Sequence, residues 1–173
     1  MRLSAFVRAY LECVLFTDND ESDESGGEPL DRNYSIEAFD EDSIARARAD
    51  CEAFQTIMAD DLELTGCDDE QAGHDFWFTR NGHGVGFWDR GYDKPIAERL
   101  TAMCKRFGEV WSTTYGDEDP GENIQLSEGR DPDALVARYR RVIPLASEEM
   151  DVAVECLIHR VCSVVELGLN ASR

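Results

Sequence analysis

The fold of this chain depends on residues 73–91, which read Gly73-His74-Asp75-Phe76-Trp77-Phe78-Thr79-Arg80-Asn81-Gly82-His83-Gly84-Val85-Gly86-Phe87-Trp88-Asp89-Arg90-Gly91. Asn81-Gly82 stands at the centre of the stretch, between two apolar runs. This dipeptide is the usual turn of a two-residue β-hairpin, because both turn positions need positive φ. The stretch therefore predicts antiparallel strands over residues 75–80 and 84–89.

The two faces of this predicted hairpin differ, because side chains alternate along a strand. One face would join the core and carries Phe76, Phe78, Val85 and Phe87. The other would place Trp77 and Trp88 over the bare backbone of Gly86. It is either a second buried layer beneath a helix or an aromatic platform that contacts a partner.

The rest of the chain predicts an α+β fold, in which helices cover a small antiparallel sheet. Helices are predicted over residues 2–16, 42–62, 94–107, 131–141 and 148–168. Strand-forming residues over 109–115 and a weaker segment at 123–127 predict a second hairpin, which would extend the first to four strands. Residues 1–128 would form the α+β domain, and residues 129–173 a C-terminal helical extension packed on it.

Local signals mark the ends of two of these helices. Asp40 is a suitable N-cap for the helix over 42–62, and Gly66 is suited to end it. Pro95 fits the first turn of the helix over 94–107, and Gly108 stands where that helix should stop.

The chain is strongly acidic, with 37 Asp and Glu against 17 Lys and Arg in 173 residues and a net charge of -20. Such a surface repels nucleic acid and anionic membranes and favours basic partners. Solubility, or an acidic proteome as a whole, is the alternative explanation for the charge. The acidic loop over residues 17–35 has few apolar residues to fold on, so we expect it to be mobile. Its carboxylates lack the spacing of a calcium loop.

The six cysteines form no Cys-x-x-Cys pair, and most fall within helical patterns as small core residues. This indicates a reduced, cytosolic protein without a disulfide framework. No apolar run approaches the roughly 18 residues that a membrane span needs.

The sequence contains no motif that names a reaction, and we predict neither an enzyme nor a bound cofactor. His74 and His83 would lie far apart on the predicted hairpin, whereas zinc needs about four ligands that converge, so no metal site is predicted. Asp75, Arg80, Asp89 and Arg90 are expected to hold the sheet through ion pairs.

Gln71-Ala72 together with the stretch over residues 73–91 resembles a segment of small acidic proteins encoded by bacteriophages and mobile elements. The layout of residues 1–66 is similar to theirs as well: an amino-terminal helix, an acidic loop and a second helix. The resemblance covers roughly residues 1–125, and it supplies no catalytic residues. Residues 130–173 depart from the usual short form of those proteins.

This resemblance implies a role against host defence, because small acidic phage proteins often act there, some by mimicking the phosphate pattern of DNA. We therefore expect an anti-CRISPR or antirestriction inhibitor in the host cytoplasm. Its partner would be a host defence protein or complex with a basic nucleic-acid-binding groove. The candidate contact residues, with the loop over 18–31 beside them, are Asp50, Glu52, Asp60, Asp61, Glu63, Asp68, Asp69 and Glu70.

Two other functions stay open from the sequence. The chain could be a phage accessory module that binds a protein through Trp77 and Trp88. It could also be a small enzyme that uses His74 or His83. The apolar helix predicted over 148–168 is either central to the fold or buried at an oligomer interface. In the inhibitor it would add contacts to the partner or form a homodimer.

Overall fold

The computed structural model describes residues 2–20, 27–114 and 124–127, and within them the predicted α+β class with a small antiparallel sheet is confirmed. The helices are α1 (Ala5–Thr17), α2 (Glu41–Ile57), α3 (Ala59–Thr65), α4 (Asp69–Arg80) and α5 (Lys94–Phe107). Single 3₁₀ turns occur at Leu30–Arg32 and Ile36–Ala38, and the strands are β1 (Trp111–Thr114) and β2 (Ile124–Ser127). The helices predicted over 131–141 and 148–168, and the domain boundary at 128, lie outside the described residues.

Helices α1 and α4 pack closely against each other at the centre of the molecule. Ser4 caps α1 by accepting a hydrogen bond from the Val7 amide at 3.3 Å, and α1 is buried along most of its length. Gly73 permits the close approach of α4, since a Cβ there would overlap the Phe6 carbonyl oxygen and press on the Ala9 side chain. The sequence places its smallest residue where the two backbones come nearest.

The core is an aromatic cluster to which several helices contribute. Phe54 of α2 stacks on Phe76 of α4 with ring centroids 4.3 Å apart. Phe107 of α5 meets Phe76 edge-on at 5.2 Å, and Phe87 stacks on Phe54 at 5.7 Å. All four rings are fully buried. Aromatic contacts of this kind stabilise the fold by more than the burial of their apolar area alone.

The hairpin predicted over 75–80 and 84–89 is wrong, because residues 69–80 form helix α4. Asp68 caps this helix by accepting from the Gln71 amide at 2.8 Å. At the other end Gly82 takes φ 69°, while Asn81 keeps a negative φ of -94°. The His83 amide donates to the Phe78 carbonyl at 3.0 Å. Asn81-Gly82 therefore ends a helix in a Schellman motif, which needs positive φ at the glycine alone.

Residues 82–91, here called the Trp88 loop, replace the second predicted strand. Phe87 is fully buried, and its amide donates to the Thr79 hydroxyl of α4 at 3.0 Å. Gly86 lies so close to Thr79 that a Cβ would overlap its Oγ1. The loop thus folds back on the helix that precedes it, so the first predicted strand becomes part of α4 and the second becomes a loop packed on that helix.

The single helix predicted over 42–62 is in fact two helices, which meet at Met58. Asp40 caps α2 as predicted, accepting from the Ser43 amide at 2.6 Å. Met58 has φ -106° and ψ 19°, which lies outside the helical range and breaks the helix. Gly66 ends α3 with φ 68°, also as predicted. Helix α5 and its terminal Gly108 agree with the prediction.

The second predicted hairpin is confirmed in the strands β1 and β2, with Trp111 opposite Ser127 and Thr114 opposite Ile124. Ile124 and Leu126 bury their side chains in the core, whereas Trp111 is exposed on the other face. Within the described residues the sheet has two strands and not four.

The middle of the acidic loop over 17–35, residues 21–26, lies outside the described residues, but the ends on either side of it are held in place. The Asp20 amide donates to the Glu28 carbonyl at 2.8 Å, and the Leu30 amide to the Asp18 carbonyl at 2.9 Å. The Asp18 carboxylate accepts from the Ser112 amide at 3.0 Å, and Leu30 is fully buried. The Asp20 carboxylate accepts from the Thr114 hydroxyl at 3.1 Å, so both carboxylates fasten this end of the loop to β1.

Candidate partner-binding surface

We call the six exposed carboxylates between residues 52 and 70 the acidic surface. They lie on the second half of α2, on α3 and at the start of α4. None of them forms a salt bridge within residues 2–20, 27–114 and 124–127. This acidic surface consists of Glu52, Asp60, Glu63, Asp68, Asp69 and Glu70.

Some of these carboxylates also have a local structural role. Asp68 is the N-cap of α4, and Asp69 and Glu70 stand in its first turn, where negative charge stabilises the helix. Asp60 has the same position in α3. Glu63 differs, because it lies in the last turn of α3, where a carboxylate faces the negative end of the helix dipole. Helix stability therefore does not explain Glu63.

Asp61 belongs to the predicted set but is largely withdrawn from solvent. Its side chain is only 13 % exposed and pairs with Arg99 of α5. Arg99 Nε donates to Asp61 Oδ2 at 2.9 Å, and this hydrogen bond raises the pKa of the guanidinium. Asp61 fastens α3 to α5, and its charge is neutralised by Arg99.

The prediction of Asp50 as a surface contact is wrong, since the residue is 2 % exposed. Arg80 Nη1 donates to Asp50 Oδ2 and to the Tyr10 hydroxyl, both at 2.8 Å. The same guanidinium donates to the backbone carbonyls of Phe107 and Gly108 at 3.1 and 2.8 Å. Asp50 is thus the counter-charge of a cation buried in the aromatic core.

Trp77 is also misplaced by the prediction, because it is 1 % exposed. Its indole Nε1 donates to the Thr17 hydroxyl at 2.9 Å, and its ring meets Tyr10 edge-on at 5.1 Å. Helical geometry turns this side chain towards α1, whereas strand alternation would have turned it outward. An aromatic platform made by Trp77 and Trp88 together does not exist.

Trp88 remains accessible, as predicted for one half of that platform. It is 41 % exposed, and Val85 of the same loop is 37 % exposed. The neighbouring backbone is fixed, since Asp89 Oδ1 accepts from the Gly86 amide at 3.1 Å and Phe87 is buried. The Trp88 loop therefore holds two apolar side chains in the solvent on a rigid base.

An ion pair that the sequence predicted only as a sheet contact fastens this loop to α4. Arg90 donates three hydrogen bonds to Asp75, at 2.6 to 3.1 Å, and Gln71 adds a fourth at 3.1 Å. These bonds to Asp75 raise the pKa of Arg90. Burial raises the pKa of Tyr92, and the nearby Cys67 raises it further. Residues 90–92 thus run back along α4 towards its acidic first turn.

The groups most often used in catalysis are scattered. His74 lies in the middle of α4 and His83 just beyond its end, so nine residues of mostly helical rise separate them by about 13 Å. His83 meets the Phe78 ring edge-on at 5.7 Å. Cys13, Cys51 and Cys104 are free and buried, and burial raises the pKa of each thiol, that of Cys13 to about 12. Thiols of this kind are protonated and poor nucleophiles.

Across the described ranges, no group of three or more His, Cys, Asp or Glu side chains is arranged to hold a metal ion. The same part of the chain has no helix with both the length and the apolar character to cross a membrane. Comparison with protein-family models, with curated proteins and with solved structures finds no match to this chain.

Proposed function

We propose that the protein is a phage-encoded inhibitor of host defence that acts by binding, without catalysis and without a cofactor. Its acidic surface would occupy the basic nucleic-acid-binding groove of a CRISPR complex or restriction enzyme. The observation that supports this proposal is the set of six exposed carboxylates without ion-pair partners in the described residues. Such an inhibitor would work in the host cytoplasm, where those complexes act.

The charge on this surface is available to a partner, because it is not neutralised within the described residues. Exposed Glu28 and Glu98, by contrast, are paired with Arg32 and Lys94 at 3.1 and 3.8 Å. A groove lined by Lys and Arg would attract free carboxylates over long range and accelerate association at low salt.

The spacing of the carboxylates also suits a groove that binds DNA. Asp60 and Glu63 are three residues apart on α3, which separates their Cβ atoms by about 5–6 Å. DNA carries about one phosphate for every 3.4 Å of axis on each strand. The separation of two neighbouring carboxylates on α3 is therefore of the same order as the spacing of phosphates along one DNA strand.

Glu63 supports a binding role more than its neighbours do. Asp60, Asp69 and Glu70 occupy first turns that favour negative charge, whereas Glu63 stands where the helix dipole opposes it. A residue that is unfavourable to its own helix and exposed to solvent is better explained by a partner than by the fold.

Competition with labelled DNA for a purified CRISPR surveillance complex or restriction enzyme tests the proposal. We expect the protein to displace DNA, and the effect to weaken as salt concentration rises. The triple variant Glu52→Gln, Glu63→Gln, Glu70→Gln should compete at least about tenfold less well, because three contacts of about 0.5–1 kcal/mol each are lost.

A matched triple variant controls for net charge. Glu12→Gln, Glu37→Gln, Glu109→Gln removes the same charge from exposed glutamates elsewhere on the molecule, and it should change competition less than about twofold. Equal losses in both triples would mean that overall charge acts, and not this surface. If no variant and no wild-type protein displaces DNA at low salt, nucleic-acid mimicry is wrong.

A further inference from the structure

The Trp88 loop carries its exposed side chains on a base that is fixed from several directions. Phe87 anchors it in the core against Phe54, and the Thr79 hydroxyl accepts from the Phe87 amide at 3.0 Å. The Asp89 amide donates to the Gly86 carbonyl at 3.2 Å, which closes a tight turn around Trp88. The backbone on both sides of the indole is thus held before any partner arrives.

Two large apolar side chains nevertheless stay in the solvent on this base. Trp88 is 41 % and Val85 37 % exposed, although Phe87 between them is fully buried. Aromatic side chains that protrude from a rigid loop lose little conformational entropy on binding, and they dominate the affinity of many protein interfaces.

The charges beside Trp88 indicate what kind of partner the loop fits. The guanidinium of Arg90 is occupied by Asp75. Asp89 and Asp93 are exposed, and Asp89 has no salt bridge within the part of the chain that the structure describes. Trp88 is therefore followed in the chain by a carboxylate that no cation of the described residues neutralises. The face of an indole attracts a cation, and a carboxylate on the next residue adds to that attraction.

We propose that Val85 and Trp88 form a docking site for a segment of a partner protein in which an apolar side chain stands next to Lys or Arg. The apolar side chain packs on Val85 and the edge of Trp88, while the cation lies over the indole face and near Asp89. A nucleic acid or an anionic membrane fits this site poorly, because the same carboxylates repel phosphate. The site is separate from the acidic surface and does not depend on the proposed competition with DNA.

Two synthetic peptides of equal length and equal charge test this site, one alternating Arg with Leu and the other alternating Arg with Ser. Binding is measured by calorimetry at physiological salt and by tryptophan fluorescence in a Trp111→Phe background. In that background Trp88 is the exposed tryptophan of the described residues, because Trp77 is buried. We expect the Arg-Leu peptide to bind at least about tenfold more tightly than the Arg-Ser peptide and to shift the Trp88 emission to the blue.

Trp88→Ala should abolish the difference between the two peptides, and Trp111→Ala, which removes the exposed indole of β1, should preserve it. Val85→Ser provides a second variant on the same loop, and it should reduce the ratio of affinities at least about threefold. The proposal is overturned if Trp88→Ala leaves the ratio unchanged, or if Trp111→Ala reduces it equally.

Other occupants of this face give different results. A dimer in sedimentation experiments that Trp88→Ala dissociates would make the face a contact between two copies of this chain, and would overturn the basic-partner proposal. Binding to phosphatidylglycerol vesicles that depends on Trp88 would do the same. The triple variant of the acidic surface should weaken the binding of both peptides by the same factor and leave the ratio of their affinities unchanged. The two proposals can therefore fail independently.

Discussion

Asp50 and Glu52 stand two residues apart on α2, yet their carboxylates have opposite surroundings. Asp50 is buried and accepts from Arg80 at 2.8 Å, whereas Glu52 is exposed and has no salt bridge among the described residues. The first carboxylate belongs to the core and stabilises the fold. The second belongs to an exposed surface where no cation of the described residues neutralises it. In so acidic a chain, the burial and pairing of each carboxylate distinguish structural residues from free surface charge. The number of acidic residues does not make that distinction.

Asp50→Ala should break this distinction most severely. It leaves the Arg80 guanidinium buried without its counter-charge, and removal of one partner from a buried pair costs about 3–5 kcal/mol. We expect a large fall in the midpoint of urea unfolding with an unchanged slope.

Glu52→Ala is the matched control, and it should change the free energy of unfolding by less than about 0.5 kcal/mol. In the double variant Asp50→Ala, Arg80→Met the buried cation is gone as well. The double variant should therefore lose less unfolding free energy than the two single variants lose together. A cost for Asp50→Ala as small as that for Glu52→Ala would contradict the structural role of the pair.

Gly73→Ala tests the close contact between α1 and α4. In most helices this substitution stabilises by about 1 kcal/mol. Here the new methyl group would overlap the Phe6 carbonyl oxygen, and overpacking of this kind costs about 1–3 kcal/mol. We therefore expect a lower thermal midpoint. Gly84→Ala, where no atom lies within 4 Å of the added Cβ, should have a much smaller effect. Stabilisation by Gly73→Ala would mean that the helices are farther apart.

Alkaline pH should act on the core and spare the acidic surface. The pKa of Cys13 is raised by burial to about 12, whereas an unfolded thiol titrates near about 8.5. Between these values the unfolded state loses its proton first, so the stability that the protonated thiol contributes declines as pH rises. The cost of Cys13→Ala, measured by urea unfolding, should therefore shrink from about pH 9 to about pH 11. An equal cost at both pH values would contradict the raised pKa.

Much of this architecture could be predicted from local signals. Helices α1 and α5 and the β1–β2 hairpin follow from apolar spacing, from Pro95 and Gly108, and from strand-forming residues. The error over residues 75–89 arose from Asn81-Gly82, which is suited both to a hairpin turn and to a helix end. In each structure the glycine needs positive φ, so the dipeptide does not distinguish them.

Signals that decide between these structures were present elsewhere in the sequence. Asp68-Asp69-Glu70-Gln71 combines an N-cap, an acidic first turn and a glutamine at the third position, which is the pattern of a helix start. Ala72, Phe76 and Arg80 then recur at intervals of four. The same periodicity places Asp50 within the apolar stripe of α2, between Ala47 and Phe54. A charged residue on each stripe indicates a buried ion pair.

The Trp88 loop could not be predicted in this way, because its shape depends on contacts between residues distant in sequence. Arg90 binds Asp75, which is 15 residues away, and Phe87 enters a core built by α2 and α4. Exposure of Trp88 and burial of Trp77 follow from these contacts and not from local pattern. The exposure of the acidic surface was easier to predict, since charged side chains on helices face the solvent in most arrangements of those helices.

Glu63→Gln and Asp60→Asn give the smallest changes in stability and the finest comparison. Each removes one exposed charge from α3, at opposite ends of the helix dipole. At low salt Asp60→Asn should lower the free energy of unfolding by about 0.3–1 kcal/mol, and Glu63→Gln should raise it by about 0.3 kcal/mol. Both should weaken competition with DNA to a similar extent, because a basic groove attracts either charge. Two changes with opposite effects on stability and the same effect on binding would assign the charge of α3 to the partner. If Glu63→Gln destabilises the protein, this carboxylate has a structural role, and no partner is needed to explain it.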